Sequence, residues 1–394
     1  MKKKIVLLTS LTFLLFTRCN DTTDFIKARN SINISDLERC VMALGSDSFM
    51  GRAPFTKGED ITVNYLAQQL AVIGFEPAFG DSYFQYVPMV KISSNVSNPV
   101  RFRGNGREFK YTTPDQLAVI SPRTTTEIDI ENSDMVFAGF GIVAPEYGWN
   151  DYAGIDVRGK TVVVLINDPG LYTGDTTLFK GTEMTYYGRW TYKYEEAARQ
   201  GAAGILIIHE TGGAGYSYNV PRNSSVNPNL FPRSADGDSS KCLFTGWISA
   251  GSADELFNSL GMNVSVLRKN ACKKGFRGFP LDLKVSLNIR NEVEYSTSRN
   301  VAGILKGSKR PDESIVYSAH WDHFGIGEKE NGDSIFNGAV DNGTSMAWEL
   351  SIGKAFASLR NRPARSIVLL FPTAEEQGLA GSLYYTEKQY IPGQ

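Results

Sequence analysis

The run Ile367-Val368-Leu369-Leu370-Phe371 contains no polar position. A strand with one wetted face alternates apolar and polar residues, whereas a strand covered on both faces does not. Five unbroken apolar residues therefore ask for a sheet with a packed layer on each side. Glu375 and Glu376 stand just past the end of this run. Two adjacent carboxylates at the mouth of a buried strand need something to offset their charge.

The text around this run supports the same class. Ile315 to Ala319 is a short apolar strand, Ser345 to Phe356 a helix, and Gly381 to Lys388 a short final helix. Strand, helix, strand predicts a parallel pair joined by a crossover. A second texture lies upstream, in VFAGFGIV, in the run Lys160 to Ile166 and in Gly204 to Ile208. A helical piece, Trp190 to Gln200, separates the last two, and together they predict a small βα unit with its own core. Residues 212–240 are rich in Gly, Asn, Ser and Pro and read as a long surface loop. Ser35-Asp36-Leu37-Glu38 spells a capping box, followed by Leu37, Val41 and Leu44 at helical spacing. A further helix is expected from about Glu59 to Ile73, and Gly74 marks its end. From Phe75 to about Ile130 the text reads as loops and short strands.

The chain has 394 residues with 41 Lys and Arg against 42 Asp and Glu. It has no basic tract, so nucleic acid is excluded as an expected partner. Its opening, MKKKIVLLTSLTFLLFTRCN, has three lysines ahead of an apolar run too short to span a bilayer. That pattern reads as an export signal over residues 1–19. Cys19 stands where a bacterial lipoprotein signal has its lipidated Cys, but Arg18 takes the place of the small residue expected before it. Lipidation of Cys19, with membrane attachment, simple export and an uncleaved anchor all stay open. The expected location is periplasmic, membrane-anchored or extracellular. Of the other cysteines, Cys242 and Cys272 are candidates for pairing in an oxidising compartment. Cys40 lies on the apolar face of a predicted helix and reads as a buried thiol.

Three short stretches carry the chemistry. They are Ser318-Ala319-His320-Trp321-Asp322-His323, Gly338-Ala339-Val340-Asp341-Asn342-Gly343, and the Glu pair. In open α/β sheets, sites form outside the carboxyl ends of strands. His320 and the Glu pair fall there on two strands, and Asp341 lies in the loop between them. Each alone has an ordinary reading: a hydrogen-bonded His, a helix-capping Asp, two Glu at a helix start. Together they suit divalent metal. Imidazole and carboxylate are zinc donors, a carboxylate can bridge two ions, and another carboxylate can accept a proton from the attacking water. Successive side chains on extended backbone point oppositely, so Glu375 and Glu376 suit two jobs, base and ligand.

These residues resemble the zinc aminopeptidase family with two co-catalytic zincs on an α/β/α sandwich, whose pattern is H-x-D, then D-N before a helix, then E-E after a strand. The resemblance implies a three-layer α/β/α sandwich with a mostly parallel central sheet. It implies His320 and Glu376 as zinc ligands, Asp341 as the bridge between two zincs, Glu375 as general base, and Asp322 orienting the His320 ring. LGSDSFMGRAPFTKGEDITVNYLAQQLAVIGFEP is similar to the family's opening helices, with Gly51-Arg52 and Gly58 in place. DYAGIDVRGKTVVVL and KYEEAARQGAAGILII look like an inserted small α/β protease-associated domain. The implied layout is a signal over 1–19, an N-terminal part of the peptidase domain over 30–131, the insert over 132–268 and the catalytic part over 290–394.

The family's later Asp and His ligands have no counterpart before Gln394. Of the remaining histidines, His209 reads as structural, and His323 as a residue that supports a metal ligand or lines the pocket wall. The expectation is a truncated or degenerate member. Its expected function is an exported zinc aminopeptidase acting on peptides. The alternatives are a non-catalytic binding module of the same fold and a single-zinc glutaminyl cyclase.

Overall fold

The structure, a computed structural model, describes residues 23–234, 236, 238–330 and 332–388. The expected export signal and Cys19 lie outside the described residues. Among the described residues no helix is long and apolar enough to cross a membrane. The chain divides into two compact units, Met1–Met89 with Ser296–Gln394, and Val90–Tyr295. The sequence had placed the inserted segment at 132–268. Residues 90–131 and 269–295 also fall in the middle unit.

In the first unit the strand Arg365–Phe371 is central. It pairs in parallel with the strand Arg310–Ser318 and antiparallel with residues 301–305. Residues 303–304 in turn pair antiparallel with Glu76–Pro77. The sheet of this unit is therefore mixed rather than mostly parallel. The helix Ser345–Ala357 provides the crossover that a parallel pair needs. Residues 306–309, which link 301–305 to Arg310–Ser318, are too few for a crossover, so these two strands run in opposite directions on either side of Arg365–Phe371.

The two-sided burial expected of the apolar run is present. Ile367, Leu369 and Phe371 share a core with Leu44, Leu66, Leu70, Met346 and Leu350. These partners come from the helices Ile34–Leu44, Lys57–Val72 and Ser345–Ala357. Val368 and Leu370 point the other way, to Ala302 and to Tyr385 of the helix Ala380–Lys388. Period-two alternation thus sends one strand's side chains into two cores. The cap of the helix Ile34–Leu44 lies two residues before the start of the expected capping box. Asn33 is the cap and accepts from the Asp36 N–H, so the Ser35 box is not the one used. Asn is as good a cap as Ser, and being upstream it ends the extended chain sooner. Cys40 is buried as expected, 3.6 Å from the Tyr65 hydroxyl.

Glu349, on the helix Ser345–Ala357, is buried behind the central strand. Its Oε1 accepts the Leu370 N–H at 2.8 Å, while Oε2 has no partner. Burial raises its pKa well above 4.5, against the one backbone donor. The folded chain therefore holds this proton where the unfolded chain has released it. The associated stability is fully present below about pH 4.5 and is lost progressively as pH rises toward the folded value. Glu349→Gln keeps an acceptor for Leu370 and cannot titrate. Its stability relative to the parent should rise between pH 4.5 and 8, as measured by urea midpoints. A difference that does not change with pH would reject the buried neutral acid.

The middle unit is built on a parallel ladder. The strands Glu127–Phe137, Thr161–Leu165, Gly204–Ile208 and Phe244–Ile248 pair in that order, and Leu117–Ile120 closes the edge antiparallel. The helix Trp190–Arg199 lies one residue short of its expected end. Two readings are corrected here. Residues 212–240 are not one loop but carry the helix Asn219–Val226 and the strand Asn229–Pro232. Pro221 sits in that helix's first turn, where its missing N–H costs nothing. The segment 75–130 holds more regular structure than expected, including the 13-residue strand Phe84–Val96. Cys242 and Cys272 are free thiols, and burial raises their pKa values to about 12 and about 11. His209 is buried against Tyr216, Tyr218 and Trp247. Its Nε2 lies 3.2 Å from the Tyr216 carbonyl, a packing role.

Candidate metal centre

Three loops of the first unit meet at the carboxyl ends of the parallel pair. The first follows Arg310–Ser318. Its Trp321 is fully buried, with the indole N–H donating to the Arg299 carbonyl at 2.9 Å. The Trp321 backbone N–H donates to Pro372 O at 3.1 Å, which ties this loop to the segment carrying the Glu pair. With Trp321 inward, His320 and Asp322 on either side are both aimed at the site.

The third loop is fixed from beneath. Thr373 N donates to Asn300 Oδ1 and Asn300 Nδ2 donates to Gly381 O, each at 2.9 Å. Gly381 packs so closely on Asn300 and Thr373 that any Cβ there would overlap them. Asp322, fully buried, holds the top of the same turn. Its Oδ1 accepts from Glu375 N at 3.0 Å and its Oδ2 from Glu376 N at 3.3 Å. Burial pushes the Asp322 carboxyl up to about 7, and these N–H donors and His320 pull against that shift.

The functional atoms then come together. One donor atom from each of His320, Asp341 and Glu376 lies within 4.8 Å of the others. His320 Nε2 is 3.2 Å from Asp341 Oδ1 and 3.7 Å from Glu375 Oε2. His320 Nδ1 is 3.1 Å from the Asp322 main-chain carbonyl and 3.7 Å from its carboxylate. The nearer orienting partner of the ring is thus the carbonyl of Asp322, while its carboxylate serves the Glu pair. Asp341 is the most open of the group, its side chain 62% exposed. Glu375 is partly exposed and His320 is buried. The sequence reads His323 as supporting a ligand or lining the pocket. Its Nδ1 is 2.7 Å from Glu376 Oε1, so it touches a member of the cluster directly.

The donor set passes a chemical test for zinc. It offers carboxylate oxygens and one imidazole nitrogen, His320 Nε2, which faces Asp341 Oδ1 at 3.2 Å while the opposite ring nitrogen is engaged by the Asp322 carbonyl. Ligand atoms on one zinc sit about 2.0–2.2 Å from the metal. Donors gathered as closely as these are therefore within reach of a common ion.

Residues 300–393 match the family model described as Peptidase family M28. The chain is 35% identical over 114 residues to Aminopeptidase NAALADL1 of Mus musculus, which is 28% of this chain and 14% of that protein. It is 26% identical over 235 residues to Carboxypeptidase Q of Xenopus laevis, 59% of this chain and 39% of that protein. The chain thus spans well under half the length of these curated relatives. Among solved structures, the aminopeptidase from Aneurinibacillus sp. strain AM-1 covers 92% of this chain and 68% of its own, at 18% identity and a TM-score of 0.45.

Proposed function

We propose that this chain is a zinc-dependent exopeptidase of the M28 type that removes N-terminal residues from peptides. The convergence of His320, Asp341 and Glu376 carries the reading. The match of residues 300–393 to a peptidase family, and relatives named as aminopeptidases and carboxypeptidases, support it. On this reading His320, Asp341 and Glu376 would hold the metal. A bound zinc supplies Lewis acidity at the scissile carbonyl and to the attacking water.

The chain's own residues do the rest. The Asp322 carbonyl accepts the His320 Nδ1 proton, which leaves Nε2 as the donor atom. The Asp322 carboxylate holds the main chain of both Glu residues, so their two side chains diverge from a fixed point. Glu375 takes a proton from water and passes it to the departing amine. The exposed side of Asp341 is where a peptide would enter.

The first unit acts as an α/β/α peptidase scaffold. The middle unit is an inserted protease-associated domain. The chain is exported through its N-terminal segment.

The purified full chain should bind zinc and release amino acids from unblocked aminoacyl amides. Dialysis against a chelator should abolish this, and zinc should restore it. Hydrolysis that survives chelation rejects the reading. Cleavage of N-acetylated peptides from the carboxyl end would instead make it a carboxypeptidase. A folded chain that binds no zinc would favour a non-catalytic module.

A further inference from the structure

Arg52 is fully buried, yet its guanidinium makes no ion pair among the described residues. It donates instead to main-chain carbonyls. Nε reaches Trp321 O at 2.9 Å. Nη1 reaches Leu44 O and Asn337 O at 2.6 Å each. Nη2 reaches Gly338 O at 2.9 Å and Asp341 O at 3.2 Å. Its own carbonyl accepts the His323 N–H at 3.3 Å. The acceptors are not scattered. Trp321 lies between His320 and Asp322, and Asn337, Gly338 and Asp341 form the loop that carries Asp341.

The surroundings are shaped around this fork. Arg52 itself has φ of 54°, following Gly51 at 65°. This left-handed backbone ends the short helical turn Asp47–Arg52, and from it the side chain reaches the Leu44 carbonyl at the end of the helix Ile34–Leu44. A Cβ on Gly51 would overlap the Gly325 backbone, and one on Gly338 would overlap Arg52 Nη2 and the Asp341 carbonyl. Glycine at 338 leaves room for the guanidinium to close on the Asp341 loop, and glycine at 51 lets the Gly325 backbone approach the turn that carries Arg52. Burial lowers the Arg52 pKa to about 10, and the charges of Asp322, Asp341 and Glu376 oppose that shift. The positive charge therefore sits close to the acidic cluster without occupying any of its carboxylate oxygens.

We propose that Arg52 is a positioning residue that preassembles the metal centre. Its planar fork clamps the His320 loop to the Asp341 loop, so the donor atoms stand at binding distance before an ion arrives. The inference rests on the zinc reading above for its functional consequence, but the clamp itself does not. Lysine supplies the charge with three donors on one point and cannot reproduce a five-bond planar pattern.

The test compares the parent chain with Arg52→Lys and Arg52→Gly, the latter with and without ethylguanidinium. Three things are measured: thermal melting, zinc affinity by competition with a chelating dye, and amide exchange at residues 338–343. Arg52→Lys should stay folded, lose about 10–100-fold in zinc affinity, and exchange the amides of 338–343 faster while those of 366–370 stay slow. Ethylguanidinium should restore both zinc affinity and slow exchange in Arg52→Gly. Parent-like zinc affinity and exchange in folded Arg52→Lys would overturn the proposal. So would a ligand that restores melting temperature in Arg52→Gly but neither other property. If the parent chain binds no zinc, the functional reading fails, and the exchange result alone decides the clamp.

Discussion

Glu375→Gln should leave zinc affinity unchanged and reduce turnover of an aminoacyl amide by about 10²–10⁴-fold, the range of a positioned general base. The substitution is close to isosteric. It keeps the backbone N–H that donates to Asp322 Oδ1, so the turn that presents the side chain should hold. It removes only the capacity to take a proton. Glu375 Oε2 lies 3.7 Å from His320 Nε2, beside the cluster formed by His320, Asp341 and Glu376 rather than within it. Glu376→Gln is the contrasting variant. It weakens a donor that already meets the His323 ring at 2.7 Å, and zinc affinity should fall. Calorimetric zinc binding and steady-state kinetics on both variants separate the roles. If Glu375→Gln keeps its full rate, Glu375 is not the base. If it loses zinc while Glu376→Gln does not, the two roles are exchanged.

What could be read from the sequence was what local spacing encodes. The all-apolar run before Glu375 implied two packed faces, and Leu369 and Val368 occupy separate cores. The helix Ser345–Ala357 and the strands on either side followed from periodicity and from Gly and Pro punctuation. Because sites gather at strand ends in such sheets, His320, Asp341 and Glu376 could be placed together before any coordinates. Sequence reasoning failed where partners are main-chain atoms or lie far along the chain. Arg52 binds carbonyls up to 289 residues away, and a carbonyl leaves no mark on the residue type that carries it. The nearer partner of His320 Nδ1 is likewise a carbonyl, so the sequence pointed only to the Asp322 side chain. Asn33 is masked as a cap because Ser35 to Glu38, starting two residues on, spell a capping box. The mixed direction of the first unit's sheet depends on the length of the link at 306–309, a geometric limit that apolar patterning does not report.

Trp321→Ala should be the most destabilising single change at the site, costing about 3–5 kcal/mol as large-to-small core replacements of aromatic residues do. A domain's whole stability is about 5–15 kcal/mol, so a large part of the margin would go. Trp321 has no exposed surface and belongs to the core shared by Leu44, Leu66 and Phe371. Its loss leaves a cavity and removes the indole donor to the Arg299 carbonyl. The neighbouring residues give the position its double consequence. His320 and Asp322 flank the indole, and the Trp321 carbonyl accepts from Arg52 Nε at 2.9 Å. One buried ring thus anchors a segment whose two adjacent side chains face the opposite way, toward the metal centre. Trp321→Phe fills much of the same volume and forfeits the hydrogen bond, which is worth about 0.5–1.5 kcal/mol, so it should cost clearly less than alanine. Urea unfolding of the three proteins orders them. An alanine variant within about 1 kcal/mol of the parent would mean that the loop is anchored elsewhere. A phenylalanine variant as unstable as alanine would place the anchoring in the indole N–H rather than in the packed ring.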